Sequence, residues 1–224
     1  PEINFSYEAA SQDFPNFFKM VNSYDYASLR NLALTNDGLP AKYSQKALDM
    51  YKSGDDPVNY PNTNWRNVIM KDYSLQQRYN LNISGATSNR AMRYFVNATY
   101  LNQGGQFKIE NDLPYDPSFK LDRYSFRSNI DLKLSKSLSV FLNAAGYLEK
   151  QNMPMGILNR LGDVPTQLAG MSPAVYIVSY LTRVPSNVPV LTPNGDVTTG
   201  ANIDWPAYGL LNRSGYVKQT RSNV

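Results

Sequence analysis

Residues 123–134 read Arg123-Tyr124-Ser125-Phe126-Arg127-Ser128-Asn129-Ile130-Asp131-Leu132-Lys133-Leu134. Tyr124, Phe126, Ile130, Leu132 and Leu134 alternate with Arg123, Ser125, Arg127, Asn129, Asp131 and Lys133, and only Ser128 departs from the apolar set. A period of two held over this length gives a strand with one greasy face and one charged face. Beyond Ser135-Lys136-Ser137, Leu138, Val140, Leu142 and Ala144 alternate with Ser139, Phe141, Asn143 and Ala145. The two runs therefore form a hairpin with a tight connection.

Working outward, the same pattern recurs. Tyr79, Leu81 and Ile83 alternate with Asn80, Asn82 and Ser84, then Met92, Tyr94, Val96, Ala98 and Tyr100 alternate with Arg93, Asn97 and Thr99. The segment Gly85-Ala86-Thr87-Ser88-Asn89-Arg90 supplies the turn between them. Ile3, Phe5 and Tyr7 alternate with Glu2, Asn4, Ser6 and Glu8, and Gly215-Tyr216-Val217 opens one more run. This makes five strands and the start of a sixth. Their connections run to roughly 60, about 6, about 20, about 3 and about 65 residues, with strand ends uncertain by a few residues. Long and short alternate, so an up-and-down antiparallel sheet carries tight turns on one edge and large loops on the other. That asymmetry marks outer-membrane barrels. Twelve residues at about 3.3 Å each, tilted by about 45°, climb roughly 28 Å, the height of a hydrocarbon core.

Composition removes several classes of function. The chain has 224 residues with no Cys and no His, which excludes a thiol nucleophile, a Ser-His-Asp triad, the usual zinc site and a disulfide framework within it. Hydrophobic residues at 42% leave enough apolar surface to fold, and 17 Tyr with 9 Phe favour strands over long helices. The net charge of +4 is scattered along the chain, which argues against a nucleic-acid partner. No apolar stretch approaches the roughly 18 residues of a spanning helix, so a barrel is the open route through a membrane. The opening Pro1-Glu2-Ile3-Asn4-Phe5 has no export signal and reads as the interior of a longer protein.

A β-sandwich shows the same local alternation. Strands of ten to twelve residues and very long loops shift the balance toward the barrel, because sandwich strands are nearer five or six residues and compact domains rarely carry such loops. A secreted or surface β-sandwich carbohydrate-binding module is the alternative reading. A carboxylate glycoside hydrolase is a third, but no acid pair at the required spacing is indicated. No catalytic residue, metal ligand or cofactor is expected.

The long loops carry short elements. Asn22-Ser23 can cap a helix with Tyr26, Leu29 and Ala33 on one face, stopped near Asn36-Asp37-Gly38. A second helix is predicted from Ser44, with Ala47, Leu48 and Tyr51, to Gly54. Asp55-Asp56 reads as a solvated turn rather than a cation site. The last loop, from Glu149 to about Ser214, is Pro-rich with fixed turns such as Thr192-Pro193-Asn194-Gly195-Asp196, and Ala174-Val175-Tyr176-Ile177-Val178 reads as a short strand. Glycosylation sequons at Asn82, Asn97 and Asn212 are set aside, since two fall inside strands.

Several longer motifs resemble those of SusC/RagA-type TonB-dependent transporters of Bacteroidetes. They are Tyr51-Lys52-Ser53-Gly54-Asp55-Asp56-Pro57, Tyr60-Pro61-Asn62-Thr63-Asn64-Trp65, Gln77 to Gly85, Tyr94-Phe95-Val96, Asn102-Gln103-Gly104-Gly105, Arg123 to Asp131, and Leu211-Asn212-Arg213-Ser214-Gly215-Tyr216. Asn64 stands where such chains usually have Asp, and Ala86 where a second Gly is common. The resemblance implies an all-β fold, a partial antiparallel up-and-down transmembrane β-barrel of about five to six strands with long extracellular loops carrying short helices. It implies that residues 1–224 are the N-terminal portion of the barrel domain, without the plug and later strands. It also implies import of oligosaccharides or peptides across the outer membrane, driven by TonB through a region N-terminal to this chain, with a SusD-like surface lipoprotein and outer-membrane lipid as partners.

On that reading Arg123, Arg127, Asn129 and Asp131 face the plug or a passing solute, and Tyr124, Phe126, Ile130, Leu132 and Leu134 face lipid. Tyr60, Trp65 and Tyr115 are loop aromatics that could stack on sugar rings or grip the lipoprotein, with packing inside the loop as the plainer role.

Overall fold

A computed structural model describes residues 1–14, 19–155, 173–199 and 206–224. Six strands form one antiparallel sheet in chain order: β1 (Glu2–Gln12), β2 (Ser74–Ala86), β3 (Met92–Gly104), β4 (Lys120–Lys133), β5 (Ser139–Pro154) and β6 (Tyr216–Asn223). Each strand pairs only with its sequence neighbours, as expected of an up-and-down barrel wall that is not closed within this chain. The tight turns at 87–91 and 134–138 lie on one edge, and the loops 13–73, 105–119 and 155–215 on the other.

Pairing in register aligns the apolar residues of each strand on one face. Ile3, Ile83, Val96, Ser128 and Ala144 make one row across the sheet, and Phe5, Leu81, Ala98, Phe126 and Gly146 the next. Among the described residues no second sheet or helix layer covers this face, and Ile3 and Phe5 are each 66% exposed. A β-sandwich would have buried them. The ring of Phe126 instead lies over Gly146, where an added Cβ would sit 2.8 Å from the ring.

The buried core lies elsewhere, in the loops. Trp65, Ile69, Met70, Phe107, Tyr176, Ile177, Leu181, Val184, Leu210 and Leu211 form one cluster. Hydrogen bonds from Thr63 N to Ser186 O (2.8 Å) and from Thr63 Oγ1 to Val188 O (2.7 Å) tie the first long loop to the last. Lys108 N to Ile69 O (2.8 Å) ties in the middle one. The loops thus fold largely on one another, which satisfies many of their backbone groups locally.

Among the described residues five helices lie in these loops: α1 (Ser23–Asn36), α2 (Gln45–Ser53), α3 (Trp65–Ile69), α4 (Pro173–Leu181) and α5 (Ala207–Asn212). Two follow the predicted caps: the Asn22 side chain accepts from Asp25 N, the Ser44 hydroxyl from Ala47 N, and Gly54 closes α2 at φ 73°. The left-handed conformation there is the one glycine adopts without strain.

Three expectations are corrected. Ala174 to Val178 belongs to a helix, not a strand: Pro173 opens α4, and a short run that is apolar on all sides suits a buried helix as well as a strand. On α1 the buried face is Ser23 and Ala27, not Leu29 and Ala33; Leu29 is 55% exposed. Small residues are needed there because the chain at Pro61-Asn62 comes close, with Ser23 Oγ donating to Pro61 O at 2.7 Å. Finally, β5 continues to Pro154, well beyond Glu149. From Glu149 to Asn152 both faces of the strand are polar, so the period of two vanishes from the sequence while the ladder goes on. Part of the last long loop, 156–172 and 200–205, lies outside the described residues.

Candidate functional site

The two faces of the sheet differ chemically, and the pairing register decides what each presents. Directly paired residues point the same way. Arg123, Arg127, Asn129 and Asp131 therefore share a face with Asn4, Asn80, Asn82, Asn97 and Thr99. Asn97 Nδ2 donates to Asn80 Oδ1 (2.6 Å) and to Asn82 Oδ1 (2.8 Å), and Thr99 Oγ1 donates to Asn80 Oδ1 (2.9 Å). Nearer the long loops Gln12 Nε2 donates to Gln76 Oε1 (2.7 Å) and Gln103 Nε2 to Gln12 Oε1 (3.1 Å). Two of the sequon asparagines, Asn82 and Asn97, are thus occupied in this amide ladder.

Charges sit beside the amides. Arg78 lies 3.8 Å from Glu8 and Arg123 lies 3.9 Å from Glu149, with the Arg123 guanidinium 4.4 Å from the centre of the Tyr147 ring. Arg127 Nε reaches Asn129 Oδ1 at 3.4 Å, and Asp131 stands opposite Arg93. The four residues singled out from the sequence share one face, though no direct contact joins all four. This surface offers many donors and acceptors with mixed charge, and it can hold a polar protein surface or a polar solute by hydrogen bonds.

The opposite face ends in an aromatic row. Tyr7, Tyr79, Tyr100 and Tyr124 stand side by side on β1 to β4, with ring centres 4.9, 5.8 and 4.8 Å apart. One step toward the long loops, the row becomes Gln77, Asn102, Asp122, Lys150 and Thr220. Tyr100 Oη donates to Asp122 Oδ1 at 2.6 Å, which turns the polar tip of the ring toward the charged side. A ring with an apolar body and a polar tip is the residue type found at the edge of a bilayer.

The loop aromatics are placed differently from one another. Trp65 is 2% exposed, and its Nε1 donates to Pro185 O at 3.0 Å, so its ring is packed inside the loop core and no face is open to a sugar. Tyr115 is half-buried and donates to Asn212 O at 3.0 Å. Tyr60 is half-buried, edge-on to Tyr51 at 5.4 Å. The Arg213–Glu110 ion pair closes this part of the loops: the guanidinium hydrogen bond holds the Glu110 carboxyl below its ordinary range. Sequence reading missed Asn212, whose buried amide accepts from Glu110 N at 3.0 Å, and the Gln12–Gln76–Gln103 cluster. A strand-by-strand alignment of the alternating Asn and Gln residues could have revealed the second. Nothing local marks Asn212.

A single up-and-down sheet with a bare apolar face, an aromatic row above it and all its long loops at one end is the wall of an outer-membrane-type β-barrel. Comparison with protein-family models gives no match. The chain is 26% identical over 168 residues to the TonB-dependent receptor P26 of Formosa agariphila, across 75% of this chain and 15% of that receptor. Its fold is similar to a solved structure of the RagAB peptide importer in the closed-closed state, with a TM-score of 0.52 and 15% identity over 88% of this chain and 21% of that one. The chain spans less than a quarter of the length of either protein. One likeness of sequence and one of fold support what the motifs implied, a stretch of the barrel of a SusC/RagA-type TonB-dependent transporter.

Proposed function

We propose that residues 1–224 form an N-terminal part of the barrel wall of an outer-membrane transporter that imports nutrients such as oligosaccharides or peptides, energised through TonB. The observation that carries this reading is the sheet itself: an apolar face left uncovered by protein, bounded by the Tyr7–Tyr79–Tyr100–Tyr124 row. In a bilayer that face meets acyl chains and costs nothing to expose. The amide ladder with Arg123, Arg127, Asn129 and Asp131 then faces the lumen, where it holds the plug or a passing solute. The cap of interlocked long loops on the outer edge offers a firm platform for a SusD-like lipoprotein, with Tyr60 and Tyr115 as half-exposed aromatics on it. The peptide cargo in the name of the RagAB importer, to which the fold is similar, makes peptides one cargo class to test.

This stretch holds no cysteine, so a label read on peptides from it reports only the introduced residue. Single cysteines replacing Phe126 and Asn129 in the full transporter, in its membrane, should separate by reagent. Phe126→Cys should react with a lipid-soluble maleimide and resist a charged one, and Asn129→Cys should do the reverse. Reaction of both with the charged reagent alone would overturn the facing.

A further inference from the structure

Just beyond the tyrosine row, on the face assigned to lipid, the sheet and the loop 105–119 enclose a cleft of about 480 Å³. Its lining includes Lys120, Lys150 and Lys218 from the three adjacent strands β4, β5 and β6. Register places all three on the same face as Tyr124 and Leu148, since Lys120 and Lys218 each pair with Asn152, and Lys150 pairs with Thr220. Two carboxylates share the cleft, and both are engaged. Asp116 takes Lys120 Nζ at 2.6 Å, and Asp122 accepts from Tyr100 Oη at 2.6 Å and from Asn102 Nδ2 at 2.8 Å. Among the described residues neither Lys150 nor Lys218 has a carboxylate within 4.0 Å; Lys218 lies 5.3 Å over the Tyr216 ring.

Lys150 stands across the strands from Asp122, so three ammonium groups against two carboxylates leave the cleft one positive charge in excess, which water or an anion screens. The depth of the ammonium groups narrows the choice of anion. They stand one to two rows above the ring that marks the bilayer edge, at the height of lipid headgroups, and on the side where the acyl chains below are already in contact with Phe126 and Leu148. We infer that this cleft is a binding site for the phosphate of a lipid headgroup in the outer leaflet, held by Lys150 and Lys218 with Lys120 beside them. The phosphate bridges the Lys150 and Lys218 ammonium groups, the headgroup rests against Tyr115 and Tyr216, and the chains run down the apolar face. The inference rests on the barrel reading above, because only a membrane-embedded sheet brings a headgroup to this level.

The test uses the full-length transporter folded in detergent, with bound lipid counted by native mass spectrometry. The probes are a diphosphorylated acyl-glucosamine disaccharide lipid, the same lipid without its phosphates, and inorganic phosphate. The phosphorylated lipid should bind at least about tenfold more tightly than the stripped one. A Lys150→Gln/Lys218→Gln variant should lose roughly 25-fold, at about fivefold per lysine near a charged surface. Lys136→Gln, in the short turn at the opposite edge, should bind as the parent does. Equal binding of stripped and phosphorylated lipid, or no loss in the double variant, would overturn the site. Full competition by inorganic phosphate at matched concentration would overturn the lipid as its occupant. Heat-modifiable migration of the same sample checks the barrel separately: a folded barrel with no phosphate preference removes this inference alone.

Discussion

Replacing Ile130 by arginine should prevent insertion of the barrel wall, whereas the same change at Asn129 should be tolerated. The two residues are adjacent on β4 and point to opposite faces. Ile130 lies six residues below Tyr124, about 20 Å along the strand and about 14 Å deep at a tilt of about 45°. In an apolar band about 25 Å tall, that is close to the midplane, where arginine on the lipid face costs about 2–4 kcal/mol. The cost corresponds to a drop of roughly 30- to 900-fold in the folding equilibrium. Asn129 stands among Phe95, Asn143 and the Arg127 side chain on the polar face, where another guanidinium finds water and acceptors. The assay is refolding of the full transporter into lipid vesicles across a urea series, with the heat-modifiable fraction read on gels. Matching losses from the two substitutions would refute the assignment of faces, and a loss confined to Asn129→Arg would reverse it.

Two further outcomes follow from the loops. Trp65→Ala removes a fully packed indole and the donor to Pro185 O, so the loop core should lose about 3–5 kcal/mol while the sheet keeps its pairing. Hydrogen exchange should quicken at 63–70 and 184–188 but not in β2 to β4; unchanged loop exchange would show that the core does not depend on this ring. At Asp116, burial alone would raise the carboxyl, but hydrogen bonds from Lys120 and Ser118 outweigh it and bring it down to about 2. A folded value below the unfolded one gives stability that is complete above about pH 4 and is lost as the pH falls through about 2. Both partners are about half exposed, so screening limits the contribution to the order of 0.5–1 kcal/mol. Asp116→Asn should flatten the acid limb of exchange for the 105–119 loop, and an unaltered limb would contradict the pairing.

The sequence by itself determined the strands whose two faces differ in polarity. Where one face of a strand touches apolar surroundings and the other water, alternation is forced on the residues, and Tyr124 to Leu134 show it plainly. The caps at Asn22, Ser44 and Gly54 were legible for the same reason, since each rests on its own backbone neighbours. Legibility stopped where that contrast stopped. The outer end of β5 is polar on both faces from Glu149 to Asn152 and looked like loop, and α4 is apolar at every position from Ala174 to Val178 and looked like strand. Only the tertiary structure decided what joins residues far apart in the chain. It brought Trp65 to Pro185, Asn212 to Glu110 and Tyr115, and Gln12 to Gln76 and Gln103. It also gathered Lys120, Lys150 and Lys218 into one cleft through strand register. Register depends on the pairing of whole strands and on loops packing with loops, and no local pattern of residue types carries that information.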